Sequence, residues 1–333
     1  MNRVPFIEMK NEFKRVLLKY DFSEERAELC ARLFTETSCD GVYSHGLNRF
    51  PLFVKYLQKG YVRGNEKPVL ISKIGSMERW DGKFGTGNLN AHFCMERAIH
   101  LAHQHGMGCS VLRNTNHWMR AGTYGWQAAE AGCIGICWTN TMPNTPPWGS
   151  KEKKVGNNPL VMAVPRAEGH IVLDFAMSQF SYGQLESYST KGEVLPVAGG
   201  FDQEGNITRD PSAILASERP LPIGYWKGSS LSLMLDLIAM MLSGGQGTYE
   251  IGSNGSETGI SQVFIAFDLK KLPDWHLLNL KIEEIVADLH TAIPDEKGEG
   301  VRYPGERTLR VRAENLERGI PVDPTLWNQV LTM

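Results

Sequence analysis

The chain has 333 residues, enough for two domains or one large one, and 42% hydrophobic with 22% charged residues is ordinary for a globular protein. Its 35 basic and 37 acidic side chains leave a formal charge of -2, which excludes a global basic field drawing in nucleic acid or acidic lipid. The longest apolar run, residues 231–242, is broken by Ser232 and Asp236 and is too short for a bilayer. No signal peptide is apparent, and the six cysteines form no C-x-x-C pair, which suits small apolar residues in a reducing compartment. A soluble cytoplasmic protein is therefore expected.

Residues 6–20 read as a helix. Ser23 opens a second one, with Glu24 and Glu25 in the first turn, where the helix dipole favours acids. Ala27, Cys30 and Phe34 give it a buried stripe. It delivers the chain to Gly41-Val42-Tyr43-Ser44-His45-Gly46-Leu47-Asn48-Arg49, which holds an imidazole, a hydroxyl and a guanidinium within nine residues. A helical arm of four residues would put His45 and Arg49 on one face. An imidazole exchanges protons near neutral pH, and a guanidinium grips a carboxylate through two parallel hydrogen bonds. The pair suits a substrate with a carboxylate beside a carbonyl or hydroxyl. The structural alternative is a helix end, with Gly46 as left-handed cap and Arg49 as a surface charge. Residues 50–57 continue with apolar residues, so the opening sixty are mostly helical.

Val69 to Ile74 reads as a strand, and Arg79-Trp80-Asp81-Gly82 as a turn. Gly85-Thr86-Gly87 fails as a dinucleotide fingerprint because Asn90 replaces the third glycine, and Gly245-x-Gly247 fails with Glu250 there. Residues 90–105 read as a helix ending in His100, His103 and His105. No nearby acid completes a metal set, so these are expected to serve the helix dipole. A strand over 108–112 leads to a polar cluster, Arg113 to Arg120, containing His117, which reads equally as a site at a strand end or as a solvated loop. Residues 124–130 look helical and 132–138 a buried strand. A proline-stiffened loop over 139–149 suits a binding wall as well as a rigid surface.

Strands follow over 157–165 and 171–174, and residues 199–209 read as a polar turn. Gly224-Tyr225-Trp226-Lys227-Gly228-Ser229 opens the apolar helix with backbone N–H groups and a cation suited to phosphate, or simply a capped helix start. Residues 244–259 read as a mobile glycine- and serine-rich loop, and 263–268 as a strand. Helix then returns, with Ile282, Ile285, Val286 and Leu289 on one face, a polar turn at 304–307 and an Asp323-Pro324 cap. The pattern is α+β (α/β mixed) without a Rossmann fingerprint.

Several segments fit one family. Gly41-Val42-Tyr43-Ser44-His45-Gly46-x-Asn48-Arg49-Phe50, Arg113-Asn114-x-Asn116-His117-Trp118-Met119-Arg120 and Tyr124-Gly125-Trp126-Gln127-Ala128-Ala129-Glu130 lead the set. Pro146-Pro147-Trp148-Gly149, Asn158-Pro159-Leu160, Gly224 to Ser229, and Gly259-Ile260-Ser261-Gln262-x-Phe264-Ile265-Ala266 complete it. The chain resembles the second, non-Rossmann family of malate/L-lactate dehydrogenases over essentially its whole length.

The resemblance implies a helical domain from both termini (1–75 and 280–333) and a nicotinamide-cofactor-binding domain (76–279) around a largely antiparallel sheet. It implies hydride transfer to a 2-oxo acid from NADH, with NADPH less preferred, by a homodimer with its site near the subunit interface. His45 falls on the proton donor, Arg49 on the carboxylate clamp, and Ser44 and His117 line the pocket; His117 is a second candidate donor. Cofactor contacts fall on His170, Ile171, Val172, Leu173, Asp174, Phe175 and Ala176, on Trp226 and Lys227, and on Gly305, Glu306 and Arg307. No metal is implied. Lys227-Gly228-Ser229-Ser230 departs from the family's Lys-Gly-Tyr-Gly, which bears on substrate and on NADH against NADPH. Sister activities on malate, lactate, sulfolactate or ureidoglycolate are the alternatives. A non-catalytic binding module is another, but a pure binder has no need of a proton donor.

Overall fold

The computed structural model describes residues 2–294 and 300–333. The chain opens with β1 (Asn2–Val4), α1 (Phe6–Leu18), α2 (Glu24–Cys39), two single 3-10 turns (Tyr43–His45 and Leu47–Arg49) and α3 (Phe50–Gln58). Then come β2 (Val69–Ile74), β3 (Met77–Asp81), α4 (Gly87–His105), β4 (Met107–Asn116), α5 (Gly122–Glu130), β5 (Cys133–Thr139), β6 (Leu160–Val164) and β7 (Ile171–Phe175). α6 (Tyr182–Lys191), the short pair β8 (Gly200–Phe201) and β9 (Ile207–Thr208), and α7 (Pro211–Ser217) form a lobe around Leu185, Leu195 and Ile214. α8 (Trp226–Ser243), α9 (Thr248–Ser253) and β10 (Thr258–Asp268) lead back into the sheet. α10 (Trp275–His290), α11 (Glu306–Arg318), β11 (Ile320–Val322) and α12 (Pro324–Thr332) finish the chain.

The seven-stranded sheet has the order β2-β3-β4-β10-β5-β6-β7, antiparallel throughout except for the parallel β3–β4 pair. Strand side chains alternate between faces. Cys137 and Phe264 thus pack with α4 and α5, while Trp138 and Val263 pack with α8. Burial on both faces explains the nearly continuous apolar runs of β5 and β10. A separate core joins both ends of the chain: α2 contributes Ala27, Cys30 and Phe34, and α12 contributes Trp327 and Val330. There Phe13 stacks on Phe50 at 4.2 Å, and β1 pairs with β11. Among the described residues no helix is long and apolar enough to cross a membrane.

Several expectations are corrected. Residues 79–81 are not a turn but the end of β3; the reversal lies at Gly75, whose φ is +57°. The strand was masked by polar residues with tertiary partners: Glu78 accepts both guanidinium bonds of Arg97, at 2.9 and 2.8 Å, and Trp80 meets Phe93 edge-on. The stretch 244–259, expected as a loop, contains a short helix, α9. Asp236 accepts the Thr248 N–H at 2.9 Å, and Asn140 donates to the Gln246 carbonyl at 2.8 Å. The turn expected at 199–209 carries the β8–β9 pair.

Candidate active site

Three strand ends set the floor of the site. β4 and β5 end where antiparallel β10 begins, with Thr258 opposite Asn116 and Gln262 opposite Thr139. His117 follows Asn116 directly. Asn116 is tied down through its Nδ2, which donates to the carbonyls of Phe84 at 2.8 Å and Gly85 at 2.9 Å.

The segment holding Ser44, His45 and Arg49 is pinned to α2. Ser38 Oγ accepts the Leu47 N–H at 2.9 Å, and a Cβ on Gly46 would lie 2.1 Å from that hydroxyl oxygen. Glycine is required by close approach, not by a left-handed cap, because Gly46 has φ -98° and ψ -117°. The expected four-residue helical arm does not form; two 3-10 turns broken at Gly46 replace it.

Ser44 Oγ lies 2.9 Å from His45 Nδ1. The His45 ring stacks against His117, with centroids 5.8 Å apart and planes 18° from parallel. His117 Nδ1 accepts the Met119 N–H at 3.0 Å, so its neutral ring carries the proton on Nε2. Burial, then Arg49 and Arg120, lower His45 to about 4. Burial, then Arg49 and His45, push His117 well below its ordinary value. Both rings are therefore neutral at pH 7. No hydrogen bond or ion pair among the described residues holds the Arg49 guanidinium, which leaves it free for an anion.

Behind these groups lies a buried ionic cluster. Asp40, at the end of α2, pairs with Arg120 and accepts from Arg312 of α11 at 2.5 and 2.8 Å. Arg312 also lies over the Trp126 ring at 4.7 Å. A cavity of about 290 Å³ adjoins it, lined by Asp40, Arg120, Trp126 and Arg312 among others. Asp40 did not stand out in the sequence, and Arg120 did so only as the last residue of the polar cluster 113–120; their pairing is tertiary.

The three stretches assigned to the cofactor meet along the edge strand β7. The Val172 N–H donates to the Pro304 carbonyl at 2.8 Å, setting Gly305 against the strand. Just past β7, the Met177 carbonyl accepts the Ile223 N–H at 2.8 Å, which leads to Trp226 and Lys227 at the start of α8. Val172 faces the core beneath α5, and Asp174 on the same face accepts the Gly122 N–H at 2.7 Å. Ile171, Leu173 and Phe175 point to the other face by alternation, and Ala176 follows the strand. The His170 ring tilts against Trp126 at 5.7 Å. Glu306 accepts the Tyr303 N–H at 3.1 Å, while Arg307, Trp226 and Lys227 are exposed.

One site residue escaped the sequence reading altogether. Burial raises the carboxyl of Glu257, just before β10, above the usual carboxylate range, against the charge of Arg49 and the nearby Met142 backbone. The expectation that no acid joins the histidines at the end of α4 is also corrected. Asp268 and Cys133 come within 4.8 Å of His103, and His103 Nδ1 bonds Asp268 Oδ2 directly at 2.9 Å.

Residues 4–331 match the malate/L-lactate dehydrogenase family. A 2,3-diketo-L-gulonate reductase of Haemophilus influenzae is 47% identical over 332 residues, covering 99% of this chain and 100% of that protein. One from Citrobacter koseri is 46% identical over 329 residues, covering 98% and 99%. Malate dehydrogenase from Entamoeba histolytica has a similar structure, with TM-score 0.93 and 25% identity over 99% of this chain and 96% of that one. Sulfolactate dehydrogenase from Methanocaldococcus jannaschii gives TM-score 0.88 and 28% identity over 99% and 95%. With its family motifs gathered at one end of a largely antiparallel sheet, this chain belongs to the malate/L-lactate dehydrogenase family, whose members are nicotinamide-dependent oxidoreductases.

Proposed function

We propose that the protein reduces the C2 ketone of 2,3-diketo-L-gulonate to give 3-keto-L-gulonate, with NADH as preferred cofactor and NADPH less preferred. The observation that carries this is the meeting of Ser44, His45, Arg49 and His117 in a chain so similar, end to end, to 2,3-diketo-L-gulonate reductases.

Arg49 grips the C1 carboxylate and so orients the C2 carbonyl. His45 gives its proton to the developing alkoxide, and takes it back in the oxidative direction. His117 directs its Nε2 proton at the carbonyl oxygen, and Ser44 orients His45. His45, lowered to about 4, is neutral at pH 7, so the donor must gain a proton as substrate binds. A carboxylate on Arg49 neutralises one of the charges that lower His45, which links substrate binding to proton uptake.

NADH, when bound, supplies the hydride to C2. The residues along β7 fit such a group. A Cβ on Gly305, whose φ is +95°, would come within 3.2 Å of the Val172 nitrogen, so only glycine brings the start of α11 this close to the strand. The start of α11, with exposed Arg307 and Lys227, suits a pyrophosphate. His170 to Ala176 line the strand beside them, with Trp226 and Glu306 at the margins.

The reading includes a helical domain of 1–75 and 280–333, a cofactor domain of 76–279, a cytoplasmic location and a homodimer. Six buried free cysteines support a reducing compartment. Leu233, Leu237 and Met241 form an exposed apolar stripe on α8 that supports a subunit interface.

The test is NADH oxidation, with NADPH in parallel, on 2,3-diketo-L-gulonate, oxaloacetate, pyruvate and sulfopyruvate, and the reverse reaction on ureidoglycolate. The highest kcat/KM is expected for 2,3-diketo-L-gulonate with NADH. A higher value on another acid reassigns the substrate. Cofactor binding without turnover of any of them would favour a binding module.

A further inference from the structure

Glu257 sits at the same sheet end as the proposed chemistry, one residue before Thr258, which pairs with Asn116 beside His117. The Met142 backbone, from the loop after β5, lies close enough to act on its carboxyl. Its Oε1 is buried and accepts no hydrogen bond from any described residue. Arg49 is near enough for its charge to act on the carboxyl, yet no ion pair joins them among the described residues. A buried acceptor without a donor is costly, and native structures seldom keep one without a reason. An O–H or N–H donor that arrives with a ligand supplies that reason.

We infer that Glu257 selects the substrate tail: with the 2-oxo acid end held by Arg49, its free carboxylate oxygen accepts a hydrogen bond from a hydroxyl farther along the substrate chain. This deepens the function proposed above and rests on Arg49 binding the substrate carboxylate. The chemistry discriminates in two directions. A 2-oxo acid with an apolar tail leaves Oε1 unsatisfied. A dicarboxylic 2-oxo acid brings a second anion against Glu257 and is repelled. A polyhydroxylated tail satisfies the acceptor and carries no charge of its own. Glu257 is thus a specificity-determining residue rather than a participant in hydride or proton transfer.

The experiment compares wild type with Glu257→Gln, which keeps the shape and a carbonyl acceptor but removes the charge, and with Glu257→Leu. Each is assayed with NADH on 2,3-diketo-L-gulonate, pyruvate and oxaloacetate. Expected for Glu257→Leu is a fall in kcat/KM on 2,3-diketo-L-gulonate of about ten- to a hundredfold, the worth of a hydrogen bond to a charged group, arising mainly in KM. Activity on pyruvate should stay within about threefold, as expected of a group that adds only binding energy. Activity on oxaloacetate should rise in both variants, because the repelling charge is gone. An equal loss on all three acids would show a structural role and overturn the inference. So would a wild-type enzyme that favours oxaloacetate over the hydroxylated acid. If wild type ignores 2,3-diketo-L-gulonate, the substrate proposal fails separately. The oxaloacetate-to-pyruvate ratio then decides for Glu257: a rise in Glu257→Gln supports its anionic filter, and an unchanged ratio overturns it.

Discussion

Both imidazoles of the site lie below their ordinary pKa because burial disfavours the charged ring and Arg49 repels it. In the unfolded chain they titrate near the usual 6.5, so between pH 6.5 and about 4 the unfolded state binds more protons than the native one. Stability is then fully present above pH 6.5 and is lost as pH falls toward 4. Urea unfolding at pH 7 and pH 5 should show this loss, and His45→Gln should reduce it; an identical pH dependence in the variant would contradict the neutral buried ring. The same residue predicts the kinetics. Reductive kcat/KM should rise as pH falls from 8 to 6, while the oxidative direction stays nearly flat. His45→Gln should lower kcat by about 100- to 10,000-fold, with NADH binding retained in fluorescence titration. His45 and Arg49 stood out in the sequence because few residue types can transfer a proton or clamp a carboxylate. Glu257 did not, because a single acid before a strand looks like any surface charge until the fold buries its Oε1.

At the scale of elements, one buried carboxylate joins three of them. Asp40 ends α2, Arg120 precedes α5 and Arg312 lies in α11. Asp40 and Arg120 are both nearly inaccessible, so removing the acid leaves two guanidinium groups without their counter-ion. Asp40→Ala should destabilise the protein by about 3–5 kcal/mol, measured by urea denaturation. A change below about 1 kcal/mol would mean that water replaces the carboxylate. Long helices with a clear stripe, such as α2, were legible because their burial repeats along the chain. β3 was not, since Glu78 and Trp80 depend on Arg97 and Phe93 of α4. α9 was hidden for a similar reason: its glycine-rich approach looks mobile until Asp236 and Asn140 hold it.

For the whole molecule, the stripe of Leu233, Leu237 and Met241 leaves apolar surface in contact with water on a helix that otherwise packs on the sheet. The double variant Leu237→Glu with Met241→Glu should convert a homodimer to monomer in sedimentation equilibrium, since two buried like charges per subunit oppose a two-fold interface. A dimer that persists would place the interface elsewhere. Activity of the separated subunit would then report whether the site needs its neighbour.

The sequence alone carried the mixed α+β class, the absence of a Rossmann glycine fingerprint, the family resemblance, and His45 with Arg49 as candidates for proton transfer and carboxylate binding. Each of these depends on residue type and local spacing, which a linear chain carries in full. Tertiary structure alone decided that Gly46 serves close packing on Ser38 and that His117 stacks on His45. It also brought three distant stretches together along β7 and buried Glu257 Oε1 without a hydrogen-bond partner among the described residues. Those facts come from non-local strand pairing and from burial, which fix distances and protonation only once the chain has closed on itself.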